Sequence, residues 1–263
     1  ILLGVIAMAA VVVWRDAQPV PILLGALDRL CFFATFVSSL GLLRVSAMRS
    51  RLVREAGTTL IRQKPALRYP TLSLGTALFG VIINIGVLNL FGAMALRSNT
   101  LKAAGGHEEI QTARERRMML SILRGFALAP LVSPLGITMA VILANMPSLT
   151  WATLAPVALP TAGLFFLLGW WLDWQLRPGH LASRVPHTAP PSLKPLWQFT
   201  LLALGITLSV FALSVTADLR LPVAVLVACP LSAILWMALQ RRRLGGGTGL
   251  PRALTLLGRH SRL

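Results

Sequence analysis

Seven blocks of apolar residues divide this chain, at 1–14, 22–43, 71–96, 120–146, 151–172, 196–215 and 221–240. Only Asp28, Arg29 and Arg124 bring charge inside them. A soluble helix or strand alternates apolar with polar residues at a period near 3.6 or 2, and these blocks do not. A run of roughly 20 apolar residues crosses a bilayer as a helix. Lipid offers no partner to exposed backbone N–H and C=O groups, so a chain of such runs folds as helices that satisfy their own backbone. The sequence therefore predicts an all-α integral membrane protein.

Composition narrows the class further. Only 13% of residues are charged and mean hydropathy is +0.74, against about 25% charged in soluble domains. The net charge of +17 would suggest nucleic acid in a soluble chain. Here the basic residues cluster between apolar blocks, where they anchor the cytoplasmic ends of membrane helices. With no aromatic–basic interleaving and no zinc spacing, a nucleic-acid partner is not expected, and the lipid bilayer is. Cys31 and Cys229 lie inside apolar blocks and read as buried thiols. The sequence starts at Ile1, within an apolar block, which predicts a fragment or a processed piece of a longer chain.

The gaps set the orientation. Segments 44–68, 173–195 and 241–263 are basic and belong to the cytoplasm. Links 15–20, 147–150 and 216–220 are short and nearly balanced, so they face outside. Segment 97–119 carries five basic and three acidic residues, and it lands outside if block 71–96 is a simple crossing. As one helix that block would be roughly 39 Å long, enough to span. Yet Gly75, Gly80, Asn84, Gly86, Asn89 and Gly92 crowd it, and glycine weakens a helix interior. If the block enters from the cytoplasm, turns within the membrane and returns, every basic gap falls on one side. The alternative is a straight, glycine-rich packing helix. The expected fold is about six spanning helices plus a re-entrant hairpin and a proline-broken helix. In chain order, 1–70 is scaffold helices with a basic cytoplasmic loop and 71–174 a transport unit. A cytoplasmic linker at 175–195, two further helices in 196–240 and a flexible basic tail at 241–263 follow.

The broken helix is expected at 128–136. Pro130 and Pro134 each remove a helical hydrogen bond and clash with the preceding turn. Ser133 adds a hydroxyl and Gly136 adds freedom. Secondary transporters build substrate and ion sites from discontinuous helices of this kind. The hairpin stretch Ile83-Asn84-Ile85-Gly86-Val87-Leu88-Asn89, followed by Ser133-Pro134-Leu135-Gly136, resembles the transport half of the ion transporter superfamily, which includes divalent anion/sodium symporters and arsenite-type carriers. In those families an Asn-containing hairpin tip faces a broken helix with a Thr/Ser-Pro-x-Gly pattern. The resemblance covers roughly 71–174. This chain departs from the family in carrying Ser98-Asn99-Thr100 after the hairpin rather than at its tip. The resemblance implies a substrate or ion site at Asn84, Gly86, Asn89, Ser133, Pro134 and Gly136.

An ionisable residue inside the membrane is a functional hypothesis by default. Asp28 and Arg124 are candidates for coupling or for an ion pair, with snorkelling the alternative for Arg124. His107, His180, His187 and His260 lie in polar gaps, and no metal-ligand spacing, nucleophile elbow or phosphate-binding loop occurs. No cofactor is expected beyond a coupling Na+ or H+. The sequence points to a secondary transporter of a small polar solute, with an organic anion favoured by the positive ends of the broken helices. It is not expected to be an enzyme, and the bacterial inner membrane is the expected setting. Homodimerisation stays open. The rival readings are a membrane enzyme acting on a lipid-linked substrate, which would use Glu108, Glu109 or Asp173, and a non-catalytic assembly subunit.

Overall fold

The computed structural model describes residues 2–15, 19–63, 66–146, 148–175 and 192–245. These form ten α-helices: α1 Leu2–Arg15, α2 Pro19–Arg49, α3 Arg51–Ile61, α4 Arg68–Ile83, α5 Gly86–Ser98, α6 Glu108–Val132, α7 Ile137–Asn145, α8 Trp151–Gln175, α9 Lys194–Thr216 and α10 Leu221–Gly245. No strand occurs among the described residues. Five stretches are long and apolar enough to cross a membrane: α2, α6 together with α7, α8, α9 and the 221–240 part of α10. The outward face of α8 exposes Leu164, Phe165, Leu167 and Leu168 in succession. A large apolar surface of this kind needs lipid rather than water around it. The chain is a multi-pass α-helical membrane protein.

Block 71–96 is not one helix. It breaks at Asn84 and Ile85, and α5 folds back along α4. The rings of Phe79 and Phe91 lie 4.9 Å apart, whereas twelve residues of straight helix would separate them by roughly 18 Å. Asn84 takes φ 54° and ψ −141°, outside the left-handed helical well and in backbone space that favours glycine. Its Oδ1 accepts from the Ile85 N–H at 2.8 Å, which closes the turn on itself.

The polar gaps are shorter than the sequence suggests. Segment 44–68 was expected as a basic loop. Instead α2 runs on to Arg49 and α3 fills most of the remainder, burying Val53, Ala56, Leu60 and Ile61. Their spacing is that of one helical face, so this gap holds an amphipathic helix that packs on α9, α4 and α5. Segment 97–119 likewise becomes helical at Glu108. The linker and tail expectations for 176–191 and 246–263 lie outside the described residues.

Contacts along the helices fix their directions. Ser73 Oγ donates to the Ser121 carbonyl at 3.0 Å, and further on Gly80 meets Ala129, so α4 and α6 run parallel. Arg117 reaches Asp173 and Arg124 reaches Gly169, so α8 runs antiparallel to both. Ser39 donates to the Leu226 carbonyl and Ser46 to the Ala233 carbonyl, making α2 and α10 parallel. The start of α4, the end of α5, the start of α6 and the end of α8 therefore gather at one basic end of the bundle. Asn99 and Gln111 tie α5 to α6 there by two reciprocal bonds of 2.8 Å.

The α4–α6 contact depends on a missing side chain. A Cβ on Gly125 would strike the Ser73 backbone, and backbone cannot step aside as a side-chain tip can. Close approach through small residues is the usual way membrane helices gain packing energy. Gly125→Val should lower the thermal unfolding midpoint of the purified protein, with a cost of about 1–3 kcal/mol typical of overpacking. Gly163→Ala, on open helix surface, should not lower it, since alanine favours a helix interior over glycine. Equal behaviour of the two variants would contradict this packing.

Candidate functional site

Two breaks meet at one level of the bundle. Gly80 and Ala129, in contact, each stand four residues before a break, Asn84 on one helix and Ser133 on the other, and the helices are parallel. The α6 break is shorter than the expected 128–136. Pro130 stays within the helix, and only 133–136 leave it. The Ser133 N–H still bonds the Ala129 carbonyl at 2.8 Å. Beyond it Pro134 has no N–H for the Pro130 carbonyl, and the Leu135 N–H turns to Ser133 Oγ at 3.2 Å. The Pro130 and Leu131 carbonyls thus lose their helical donors. Ser133 and Pro134 are buried, and Gly136 is half-buried.

The structure gathers the expected residues only in part. Asn84 and Ser133 share a level, but no hydrogen bond joins them among the described residues, and each spends its side-chain oxygen on its own turn. Gly86 is buried at the first turn of α5. Asn89 is exposed on the outer side of α5 and does not face the broken helix. Asp28 is exposed on α2, and neither it nor Arg124 enters an ion pair among the described residues. Arg124 Nη1 donates to the Gly169 carbonyl at 3.0 Å, and its guanidinium lies 5.9 Å from the centre of the Tyr69 ring.

The sequence reading missed Arg44. The sequence places it at the start of a basic loop, but α2 continues past it to Arg49. A Cβ added to Gly86 would come within 2.5 Å of Arg44 Nε and 3.0 Å of its Cζ. A guanidinium therefore lies against the N-terminal turn of α5, at the hairpin tip, where only glycine leaves it room. Arg44 is half-buried and has no hydrogen bond or ion pair among the described residues. The apolar residues beyond it, Val45, Ala47 and Met48, were the available sign that the helix goes on.

A second polar cluster sits at the basic end. Arg117 grips Asp173 with two bonds, Nε to Oδ1 at 3.0 Å and Nη2 to Oδ2 at 2.9 Å, and the carboxylate side chain is 5% exposed. Asp173 is thus committed to an ion pair, and Glu108 and Glu109 are exposed at the start of α6. Arg68 is buried beside the pair. Burial, then the Arg114 and Arg117 charges, pull its guanidinium down to about 10, with Asp173 acting the other way. It remains charged at neutral pH. Among the described residues no three His, Cys, Asp or Glu side chains converge as metal ligands.

Removing one partner of a buried ion pair leaves an uncompensated charge, at a cost of about 3–5 kcal/mol. Asp173→Leu should therefore lower the unfolding midpoint strongly, and the double variant Arg117→Met/Asp173→Leu should recover most of the loss. A double variant no better than the single one would contradict this view of the pair. Comparison of the chain with protein-family models, with curated proteins and with solved structures finds no match to any of them.

Proposed function

We propose that this chain is a secondary transporter, or the part of one that holds the site, moving a small anionic solute across the cytoplasmic membrane. In this reading α4 and α5 form a re-entrant hairpin that enters and leaves at the cytoplasmic face, and α6–α7 is the discontinuous helix beside it. The observation that carries the proposal is Arg44. A guanidinium within an apolar bundle is costly unless something compensates it, and this one lies at the tip of the hairpin without a carboxylate. The N-terminal turns of α5 and α7 add positive dipole ends at the same level. Together they suit the carboxylate or similar oxyanion of a solute. The unbonded Pro130 and Leu131 carbonyls suit a coupling Na+, as unwound carbonyls do in such transporters.

Asn84 supports the site by making the turn, Gly86 by admitting Arg44, and Ser133, Pro134 and Gly136 by opening the helix. Exposed Asn89 would need a partner in lipid, which a homodimer would supply. An enzyme acting on a lipid-linked substrate is less well supported, because Asp173 is held by Arg117.

The test is uptake of a panel of small organic anions into proteoliposomes containing the full chain. Arg44→Gln should reduce uptake at least tenfold, and Arg44→Lys should retain part of it. Asn84→Gly, which keeps the positive φ, should leave the fold intact. Absence of uptake for every anion, or unchanged uptake in Arg44→Gln, would overturn the proposal.

A further inference from the structure

The basic end of the bundle holds more buried positive charge than its carboxylate can balance. Arg68 is 8% exposed, and its Nε has no hydrogen-bond partner. Arg114 gives Nη1 to the Ala103 carbonyl at 3.2 Å, while its Nε is also buried and without a partner. Arg117 is spent on Asp173. Both Arg114 and Arg117 act repulsively on Arg68, and Asp173 is the one carboxylate among the described residues that acts on it attractively. Glu115, next to Arg114, makes no ion pair. The segment 174–193 contains no acid at all in sequence, although it contains Arg177 and Arg184.

Three guanidiniums against one carboxylate leave a surplus of two positive charges. Two buried N–H groups lack acceptors, and a buried donor left without one is unfavourable. What both deficits call for is the same: a compact multivalent oxyanion with several acceptor oxygens. The planar guanidinium fork matches phosphate oxygens well. The location fits too, since the cluster lies where α4 begins, beside the first third of α6 and the end of α8, next to the apolar blocks rather than within them. Basic pockets between membrane helices at such a boundary bind lipid headgroups.

We propose that Arg68, Arg114 and Arg117 form a binding site for a phosphate-type oxyanion at the basic end of the bundle. Its source is either the headgroup of an anionic lipid or a soluble phosphate. The site is separate from the hairpin tip and does not rest on the transport reading. Asp173 holds Arg117 in place, so the anion engages mainly the free Nε groups of Arg68 and Arg114.

The experiment measures thermal unfolding of the purified full chain under three conditions. They are phosphatidylcholine nanodiscs, the same nanodiscs with inorganic phosphate against chloride at equal ionic strength, and nanodiscs containing phosphatidylglycerol. Either anion should raise the unfolding midpoint of the parent protein by several degrees through linkage. A rise with phosphatidylglycerol alone assigns the site to a lipid headgroup, and a rise with phosphate assigns it to a soluble anion. Arg68→Met should lose the rise, yet unfold no earlier than the parent in phosphatidylcholine, because it removes an unbalanced buried charge. Arg114→Gln should weaken the response, while Arg116→Gln, at an exposed position on the same helix, should keep it. No rise with either anion in the parent, or a rise that persists in Arg68→Met, or one equally lost in Arg116→Gln, would overturn the site.

Discussion

The contact between α4 and α6 governs the rest of the structure. Gly125 lets α6 lie directly on the Ser73 backbone, and Ser73 Oγ bonds the Ser121 carbonyl. Lipid tails are as apolar as leucine, so helices gain little from hiding apolar surface from them. Close backbone approach supplies the attraction instead. Once α4 and α6 run side by side in the same direction, the chain between them has to return to its starting level. α5 makes that return, and the turn at Asn84 follows. The same pairing sets Asn84 level with Ser133 and Arg68 beside the Arg117–Asp173 pair.

Two polar regions result, with opposite character. At the level of the breaks the polarity is mostly backbone: a turn closed by Asn84, carbonyls freed by Pro134, and the single guanidinium of Arg44. At the basic end the polarity is side-chain charge: three arginines around one carboxylate. Both regions sit on α4 and α6, so a shift of one helix along the other would disturb both.

The apolar blocks made α8, α9 and α10 legible within a few residues, because lipid exposure demands long runs without charge. The broken backbone was legible as well, since Gly80, Asn84 and Gly86 crowd one stretch and Pro134 interrupts another. The identity of the turning residue was not legible. It depends on a positive φ that Asn84 adopts and that Asn89 could equally have taken. α3 escaped because its charges at Arg51, Arg54 and Glu55 outweighed the spacing of Val53, Ala56, Leu60 and Ile61. Arg44, Arg68 and Arg117 were counted as anchors in gaps. Only tertiary packing shows that one lies against the hairpin tip and that the others enclose Asp173, 56 residues from Arg117 in sequence.

The central claim is that the chain returns to its starting side between α4 and α6, and sidedness tests it most directly. Single cysteines at exposed Arg54, Lys102 and Ser148, each in a Cys31→Ser/Cys229→Ser background, would be labelled in intact and permeabilised cells with a membrane-impermeant thiol reagent. The re-entrant reading predicts that positions 54 and 102 label on the same side and position 148 on the other. Labelling of positions 54 and 102 from opposite sides would make α4 and α5 a crossing and would contradict the account.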